Sequence, residues 1–502
     1  MKLTTEQIDR AAGVLLGQAC GDALGVPYEF GRKLGPDDEP EMRGGGLGPY
    51  APGEWSDDTQ MALCIAQVAA TGADLTSRDA LDEIAQAFLD WRSNGASDIG
   101  IQTSNVLANG AQGSTGTVSE RMLAAARALH DATGRTAGNG ALMRTGIVGL
   151  TRLEDANETA DAARCIAELT HADLLAGDAC VIWSLAVRRA VLDGTFDGVR
   201  EGLDHIPTTR RDQWAQWLDE AETGPATRFN PNGFTVHALQ AAWSAIVTTP
   251  VPQDDPGSGS FPCLHLQESL KTAVRVGDDT DTVAAIAGAL LGARWGASAV
   301  PAAWRRRVHG WPGMRANDLV RLGVLAARAG RDDPQGWPSV EHFDYSGYGN
   351  LSKLVPHPTD DGVLLGAAGY VQEPPQGVDA VVSLCRLGSA GVPSPGIAPK
   401  DHVEVWLIDS PDPEANPNLE FVIDDAARVT QQLRAEGRRV LLHCVQAQSR
   451  TPTVAARYGV LLGESVENAA GAVNQALHTT PNETLANAVR RLGSVSAKEA
   501  GQ

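Results

Sequence analysis

The chain has 502 residues, 43% of them hydrophobic and 21% charged, a balance normal for globular protein and a length that calls for two or three cores. A net charge of −21 argues against nucleic acid or an anionic membrane as a partner. Seven scattered cysteines without a CxxC pair support neither a disulfide framework nor a zinc site, and the N-terminus has no signal-peptide pattern, so a cytoplasmic protein is expected.

From the start to about residue 327 the apolar periodicity is helical, recurring at 78–91, 119–130, 157–170, 174–192, 234–247, 282–295 and 316–329. Gly13, Gly17, Gly21 and Gly25 fall on every fourth residue of the first helical segment, and Gly288 and Gly292 repeat that spacing. Because glycine inside a helix costs roughly 1 kcal/mol relative to alanine, such a stripe points to close helix–helix approach. The most apolar run, VAAIAGALLGARWG, is broken by Arg294 and is too short to span a bilayer.

Residues 328–350 lose the periodicity and gain Pro, Gly and Asp, which reads as connecting chain. Beyond it GVLLGAAGYV, VDAVVSLCRL, HVEVWLID and RRVLLHCV are short apolar runs bounded by turn residues, alternating with helical stretches at 419–435 and 452–463. That is the pattern of an α/β domain with a mainly parallel sheet. The expected organisation is multidomain: an all-α domain over 5–327, a linker over 328–345 and an α/β domain over 346–498.

Two acidic clusters open apolar helices in the first region: Ser56-Asp57-Asp58-Thr59 and Asp278-Asp279-Thr280-Asp281-Thr282. One such cluster is ordinarily a helix cap. Two of them brought together need a cation between them, because adjacent carboxylates repel. Asp57, Asp58, Asp279 and Asp281 would balance two divalent ions, and an all-oxygen set with Ser56, Thr59 and Thr282 favours Mg²⁺ or Mn²⁺ over zinc. A binuclear metal hydrolase is the expectation.

GDALGVPYEF (21–30), WSDDTQMAL (55–63), GNGALMR (138–144), Thr170-His171, GDDTDTVAAIAGALLGA (277–293) and HGWPG (309–313) together resemble the ADP-ribosylglycohydrolase family over roughly residues 5–327. The resemblance implies an all-helical fold holding two Mg²⁺ ions, and hydrolysis of the bond joining ADP-ribose to an acceptor. It implies metal ligation by Ser56, Asp57, Asp58, Asp279, Asp281 and Thr282. Asn139, Gly140, Met143 and His171 would line ADP-ribose. Glu29, Asp58 and Asp98 are the candidates for general acid or base, and the residue pattern does not choose among them. The substrate expected is an ADP-ribosylated protein or small molecule.

RRVLLHCVQAQSRTPTVAA (438–456) carries a second chemistry: a strand, His443-Cys444, five residues, Arg450, Thr451 and a helix. A loop opening a helix aims backbone N–H groups and the positive end of the dipole at an anion. There Cys444 would act as a thiolate nucleophile and Arg450 would clamp phosphate oxygens. This resembles the phosphate loop of cysteine-dependent phosphatases of the dual-specificity type, over roughly 345–495. The resemblance implies Asp409 as general acid, with Asp412 the alternative, and a phosphorylated substrate. One departure stands out: the family's usual glycine, three residues after the cysteine, is Ala447. Two other arrangements fit the same residues: a cysteine phosphatase with an ADP-ribose-sensing helical domain, and a hydrolase with a non-catalytic phosphate-binding module.

Overall fold

The computed structural model describes residues 2–112, 115–349 and 351–493, so 494–498, the end of the expected second domain, lie outside the described residues. The chain forms two compact units. The first comprises Met1–Pro250, His265–Val300 and Arg307–Arg331; the second comprises Val251–Leu264, Pro301–Arg306 and Asp332–Gln502.

The first unit is helical and organised around its first helix, Thr5–Gly25, which is buried from Asp9 onward with the sole exception of Arg10 among residues 9–25. Its start is fixed by a capping box: Gln7 N donates to Thr4 Oγ1 (3.2 Å) and Thr4 N donates to Gln7 Oε1 (3.0 Å). The glycine stripe meets the helix Thr280–Trp295 backbone to backbone. A Cβ on Gly13, Gly17, Gly21 or Gly25 would run into the main chain of Gly292, Gly288, Ala284 and Asp281 respectively, and one on Gly288 or Gly292 would run into Gly17 or Gly13. That antiparallel sequence of contacts sets the start of one helix against the end of the other. Thr280 Oγ1 closes the junction by donating to Gly25 O at 2.9 Å. Trp183, on the helix Leu174–Asp193, donates its Nε1 to Ile286 O at 3.0 Å and fixes a third helix to this pair.

Helices also form at Ile101–Gln112, Thr208–Thr223 and His265–Val274, where sequence periodicity had not placed them. Thr208–Thr223 buries only Trp214, Leu218 and Ala221, too few apolar positions to show a helical stripe by themselves. A short antiparallel pair, His309–Gly310 with Met314–Arg315, interrupts the helical pattern.

The second unit holds a five-stranded sheet in the order Leu354–Pro356, Val363–Gly366, Val440–His443, Ala380–Ser383, His402–Glu404; the first pairing is antiparallel and the others are parallel. The three inner strands are buried at every position, which is why they read as unbroken apolar runs rather than alternating ones. The helices Leu419–Ala435, Arg450–Leu461, Val466–Leu477 and Glu483–Leu492 accompany the sheet. Two earlier segments belong to this unit through polar anchors. Arg491 donates to Asp254 at 3.0 Å in the first of them; in the second, Arg306 donates to Glu436 at 3.0 and 2.8 Å and to Asp401 at 3.2 Å, and Ala302 N donates to Asp425 at 2.9 Å. No helix among the described residues is long and apolar enough to cross a membrane.

The same substitution should have opposite effects in the two units. Gly17→Ala is expected to lower stability by about 1–3 kcal/mol, because its Cβ has no room at the helix crossing. Gly471→Ala, exposed in a helix with nothing within 4 Å of its Cβ position, should raise stability by up to about 1 kcal/mol. Urea unfolding of both variants checks the signs.

Candidate functional site

The glycine crossing brings the end of the first helix, with Asp22, to the start of the helix that carries Asp281. Asp22 also takes the start of a second helix, Asp57–Ala69. Its Oδ1 accepts from Ser56 N (2.8 Å) and Ser56 Oγ (2.9 Å), and its Oδ2 accepts from Thr59 N (3.0 Å) and Thr59 Oγ1 (2.6 Å). The cap of that helix therefore comes from another helix, and it ties the first acidic cluster to the glycine stripe.

The two clusters converge. Thr282 Oγ1 donates to Asp58 Oδ1 at 2.9 Å, and Ser56 Oγ lies 3.2 Å from Asp58 Oδ2. Asp22, Asp58 and Asp281 each offer an oxygen within 4.8 Å of the others, and so do Glu29, Asp279 and Asp281. Asp57 belongs to neither trio and keeps partial exposure. Burial, reinforced by like charge, sets the electrostatics. It pushes Asp58 and Asp281 well above the usual carboxylate range, with Asp22 the leading neighbouring charge for the first and Asp58 for the second. Asp57 is raised in the same way by burial and then Asp98. Burial and Asp279 push Glu29 up to about 9, and burial raises Asp279 against the hydrogen bond from Asn139. Asp281 Oδ1 is buried with no hydrogen-bond partner. Buried carboxylates of one sign, one oxygen bare and hydroxyls alongside, fit a hard divalent cation.

The remaining residues expected at this site assemble around the acidic core. Asn139 Nδ2 donates to Asp279 Oδ2 at 2.8 Å and to Asn232 O at 3.1 Å. Asn232 returns the tie, its Oδ1 accepting from Asp279 N at 3.0 Å. Gly140 and Gly138 pack on the His171 ring; a Cβ on either would lie 3.3–3.4 Å from it. Arg144 Nη2 donates to Thr170 Oγ1 (2.7 Å), which in turn lies 2.7 Å from His171 Nδ1. Burial and then Arg144 push the His171 pKa down to about 3, so the ring is neutral. Met143 is buried, and its carbonyl accepts from Gln18 Nε2 at 3.1 Å, the same nitrogen that donates to Asp58 O at 3.2 Å. Asp98 is half-buried, accepts from Ile99 N at 2.7 Å, and is the leading charge on Asp57.

Sequence reasoning offers Asp22 only a capping or turn-bracing part, without chemistry, and does not single out Asn232. The helical phase does carry a signal for Asp22: it is one residue from Gly21 and three from Gly25, close to the face the stripe defines. Asn232 leaves none, because its partners lie more than forty residues away.

In the second unit, the strand Val440–His443 ends at Cys444, and residues 444–449 lead into the helix Arg450–Leu461. Ala447 adopts φ 52°, the left-handed backbone for which glycine is the usual residue, so the loop keeps that turn despite the extra methyl group. Thr451 Oγ1 is fully buried and unpartnered. Arg450 Nη1 donates to Leu384 O (2.8 Å) and Leu407 O (3.4 Å), while its Nε is buried without a hydrogen bond, 3.8 Å from Asp409 Oδ2. Asp409 also accepts from Asn482 Nδ2 at 2.8 Å, whereas Asp412 caps its own turn by accepting from Glu414 N at 3.0 Å.

Behind Cys444 runs a directed hydrogen-bond chain. Ser394 N donates to His402 Nδ1 (3.0 Å), which leaves His402 Nε2–H to donate to Ser383 Oγ (2.8 Å); Ser383 then donates to His443 Nε2 (2.6 Å), and His443 Nδ1 faces Cys444 O at 3.3 Å. Burial pushes His402 down to about 3 and His443 down to about 4.

The first unit is thus a helical scaffold around an all-oxygen acidic site, and comparison with known proteins agrees. The sequence model of the ADP-ribosylglycohydrolase family matches residues 3–334, and the chain belongs to that family. The ADP-ribosylarginine hydrolase Tri1 of Pseudomonas putida (strain GB-1) is 29% identical over 322 residues, covering 61% of this chain and 76% of that protein. The ADP-ribosyl-(dinitrogen reductase) glycohydrolase of Rhodospirillum rubrum is 26% identical over 338 residues, covering 64% and 98%. The family match stops before the cysteine loop. A crystal structure of human DUSP28 aligns over 28% of this chain and 96% of its own, at 20% identity and a TM-score of 0.24, a likeness too weak to bear on the second unit.

The buried histidines give a pH test. An unfolded His titrates near 6.5; His402 and His443 titrate lower when folded, so their contribution to stability is full above about pH 6.5 and is lost as pH falls toward 4 and 3. His402→Gln should therefore flatten the fall in stability over that window by up to about 1.4 kcal/mol per pH unit. Urea midpoints of wild type and variant at pH 7, 6 and 5 measure the difference.

Proposed function

We propose that the first unit hydrolyses the glycosidic bond between ADP-ribose and an acceptor, with Ser56, Asp57, Asp58, Asp279, Asp281 and Thr282 holding two Mg²⁺ ions, or Mn²⁺ in their place. The observation that carries this reading is the burial of like-charged carboxylates from separate helix ends, with Asp281 Oδ1 left unpartnered. Family membership supports the choice of reaction. When bound, the ions supply positive charge that orients the ribose hydroxyls and polarises the scissile bond.

The chain's own residues do the rest. Asp22 accepts four hydrogen bonds and braces the cluster. Asp58 accepts from Thr282 Oγ1 at one oxygen and is assigned to the metal at the other, which leaves Glu29 and Asp98 as the carboxylates better placed to exchange a proton with water or the leaving atom. Asn139 holds Asp279, and the Gly138–Gly140 turn with the neutral His171 ring behind it offers a neutral wall to ADP-ribose. The name of the Pseudomonas putida relative makes ADP-ribosylarginine the first substrate to offer.

Mg²⁺ should raise the melting temperature of wild type and support release of ADP-ribose, and a chelator should abolish both effects. Asp281→Asn removes one buried like charge. Without metal it should melt about 2–4 °C above wild type, yet lose the Mg²⁺ response and about 100-fold in turnover. Equal turnover by wild type, variant and chelated enzyme would refute the metal-dependent reading.

For the second unit we propose cysteine-dependent phosphate-ester hydrolysis, with Cys444 as nucleophile, Arg450 as the phosphate clamp and Asp409 as general acid. The specific support is a helix-opening loop with an unpartnered Thr451 hydroxyl and an Arg450 Nε that makes no hydrogen bond. Cys444→Ser should abolish p-nitrophenyl phosphate hydrolysis and leave tungstate binding intact. Binding without turnover in wild type would instead favour a phosphate-binding module.

A further inference from the structure

Tyr50 lies at the end of a glycine-rich turn, Gly44-Gly45-Gly46-Leu47-Gly48-Pro49, whose first three residues take φ values of 72°, 87° and 78°. Gly45 N donates to Tyr50 O at 2.9 Å, and a Cβ on Gly48 would strike the Tyr50 ring at 2.6 Å, so the turn wraps the phenol and fixes its direction. The side chain is 5% exposed, yet its hydroxyl has no hydrogen-bond partner. The nearby Tyr28 makes the contrast, since its hydroxyl accepts from Glu41 N at 3.0 Å. A buried, unpaired phenol costs about 1–3 kcal/mol, so an oriented one calls for a partner that arrives with a ligand. A Cβ on Gly46 would strike Val26 O, so the turn packs on the segment that leads into Glu29, and after burial the charges of Asp57, Asp22, Asp98 and Asp281 push the Tyr50 pKa upward.

Among those carboxylates, anionic phosphate oxygens are poor partners for Tyr50. A sugar hydroxyl suits the position better, because it can accept from the phenol and donate to a carboxylate. We infer that Tyr50 is a substrate-binding residue whose hydroxyl donates a hydrogen bond to an oxygen of the distal ribose of ADP-ribose. This rests on the proposed ADP-ribose chemistry of the first unit. Tyr50 thereby reads the sugar that carries the scissile bond, while the Asn139–Gly140 turn and His171 line another part of the ligand.

The test uses the full chain, wild type and Tyr50→Phe, with three readouts. Calorimetry in Mg²⁺ measures ADP-ribose and, separately, ADP, which lacks the distal ribose; Mn²⁺ affinity is measured without nucleotide; and the melting temperature is measured without metal. Tyr50→Phe should bind ADP-ribose about threefold to tenfold more weakly, with ADP affinity and Mn²⁺ affinity unchanged and, because the unpaired hydroxyl is gone, a melting temperature no lower than that of wild type. Equal ADP-ribose affinity in the two proteins would overturn the assignment. So would an equal loss for ADP and ADP-ribose, or a loss accompanied by weaker Mn²⁺ binding and a lower melting temperature, which would mark a structural role. Absence of ADP-ribose binding by wild type would remove the underlying functional reading itself, an outcome distinct from failure of Tyr50 alone.

Discussion

The candidate site of the first unit depends on a contact between two backbones. Gly13, Gly17, Gly21 and Gly25 let the helix Thr5–Gly25 lie directly on Thr280–Trp295, with no side chain between them. Helix axes normally stay 8–10 Å apart because side chains hold them there. Removing the side chains along the whole crossing fixes both separation and register, so Asp281 arrives beside Gly25 and one turn from Asp22. Everything that makes the site acidic follows from that register.

The constraint has an energetic counterpart. Bringing Asp22, Asp58, Asp279 and Asp281 out of water raises each of them above its ordinary range, so the scaffold opposes their mutual repulsion. Two features resist it. Asp22 is surrounded by donors from Ser56 and Thr59, and Asn139 and Asn232 hold Asp279 by side chain and backbone. Rigid packing at the glycine crossing keeps the carboxylates from swinging apart. The result is a pre-formed cluster of carboxylates whose natural complement is a hard cation.

The second unit is built differently: a buried parallel strand ends at His443, and a short loop from Cys444 leads into the helix Arg450–Leu461. Its turn is set by Ala447 in a left-handed conformation, and the polar chain from Ser394 through His402, Ser383 and His443 reaches the carbonyl of Cys444. That chain satisfies buried polar groups one after another, which fixes their tautomers and keeps them neutral.

Much of this was legible in the sequence because it is local. Helical periodicity, the glycine spacing, the acidic clusters at helix starts, and the Cys444–Arg450 spacing all lie within a turn or two of chain, and the buried inner strands declared themselves as unbroken apolar runs. The polar helix Thr208–Thr223 was not legible, because packing rather than pattern stabilises it. Nor was the membership of 251–264 and 301–306 in the second unit, which rests on ion pairs such as Arg306 with Glu436. The sequence by itself determined which residues could carry the chemistry, since residue type and short spacing are chain properties. Tertiary structure alone decided that Asp22 caps a neighbouring helix, that Asn232 holds Asp279, that Asp57 stands outside both oxygen trios, and that the Tyr50 hydroxyl lies buried and unpaired. These are matters of distance between segments tens to hundreds of residues apart, set by how closely helices can pack.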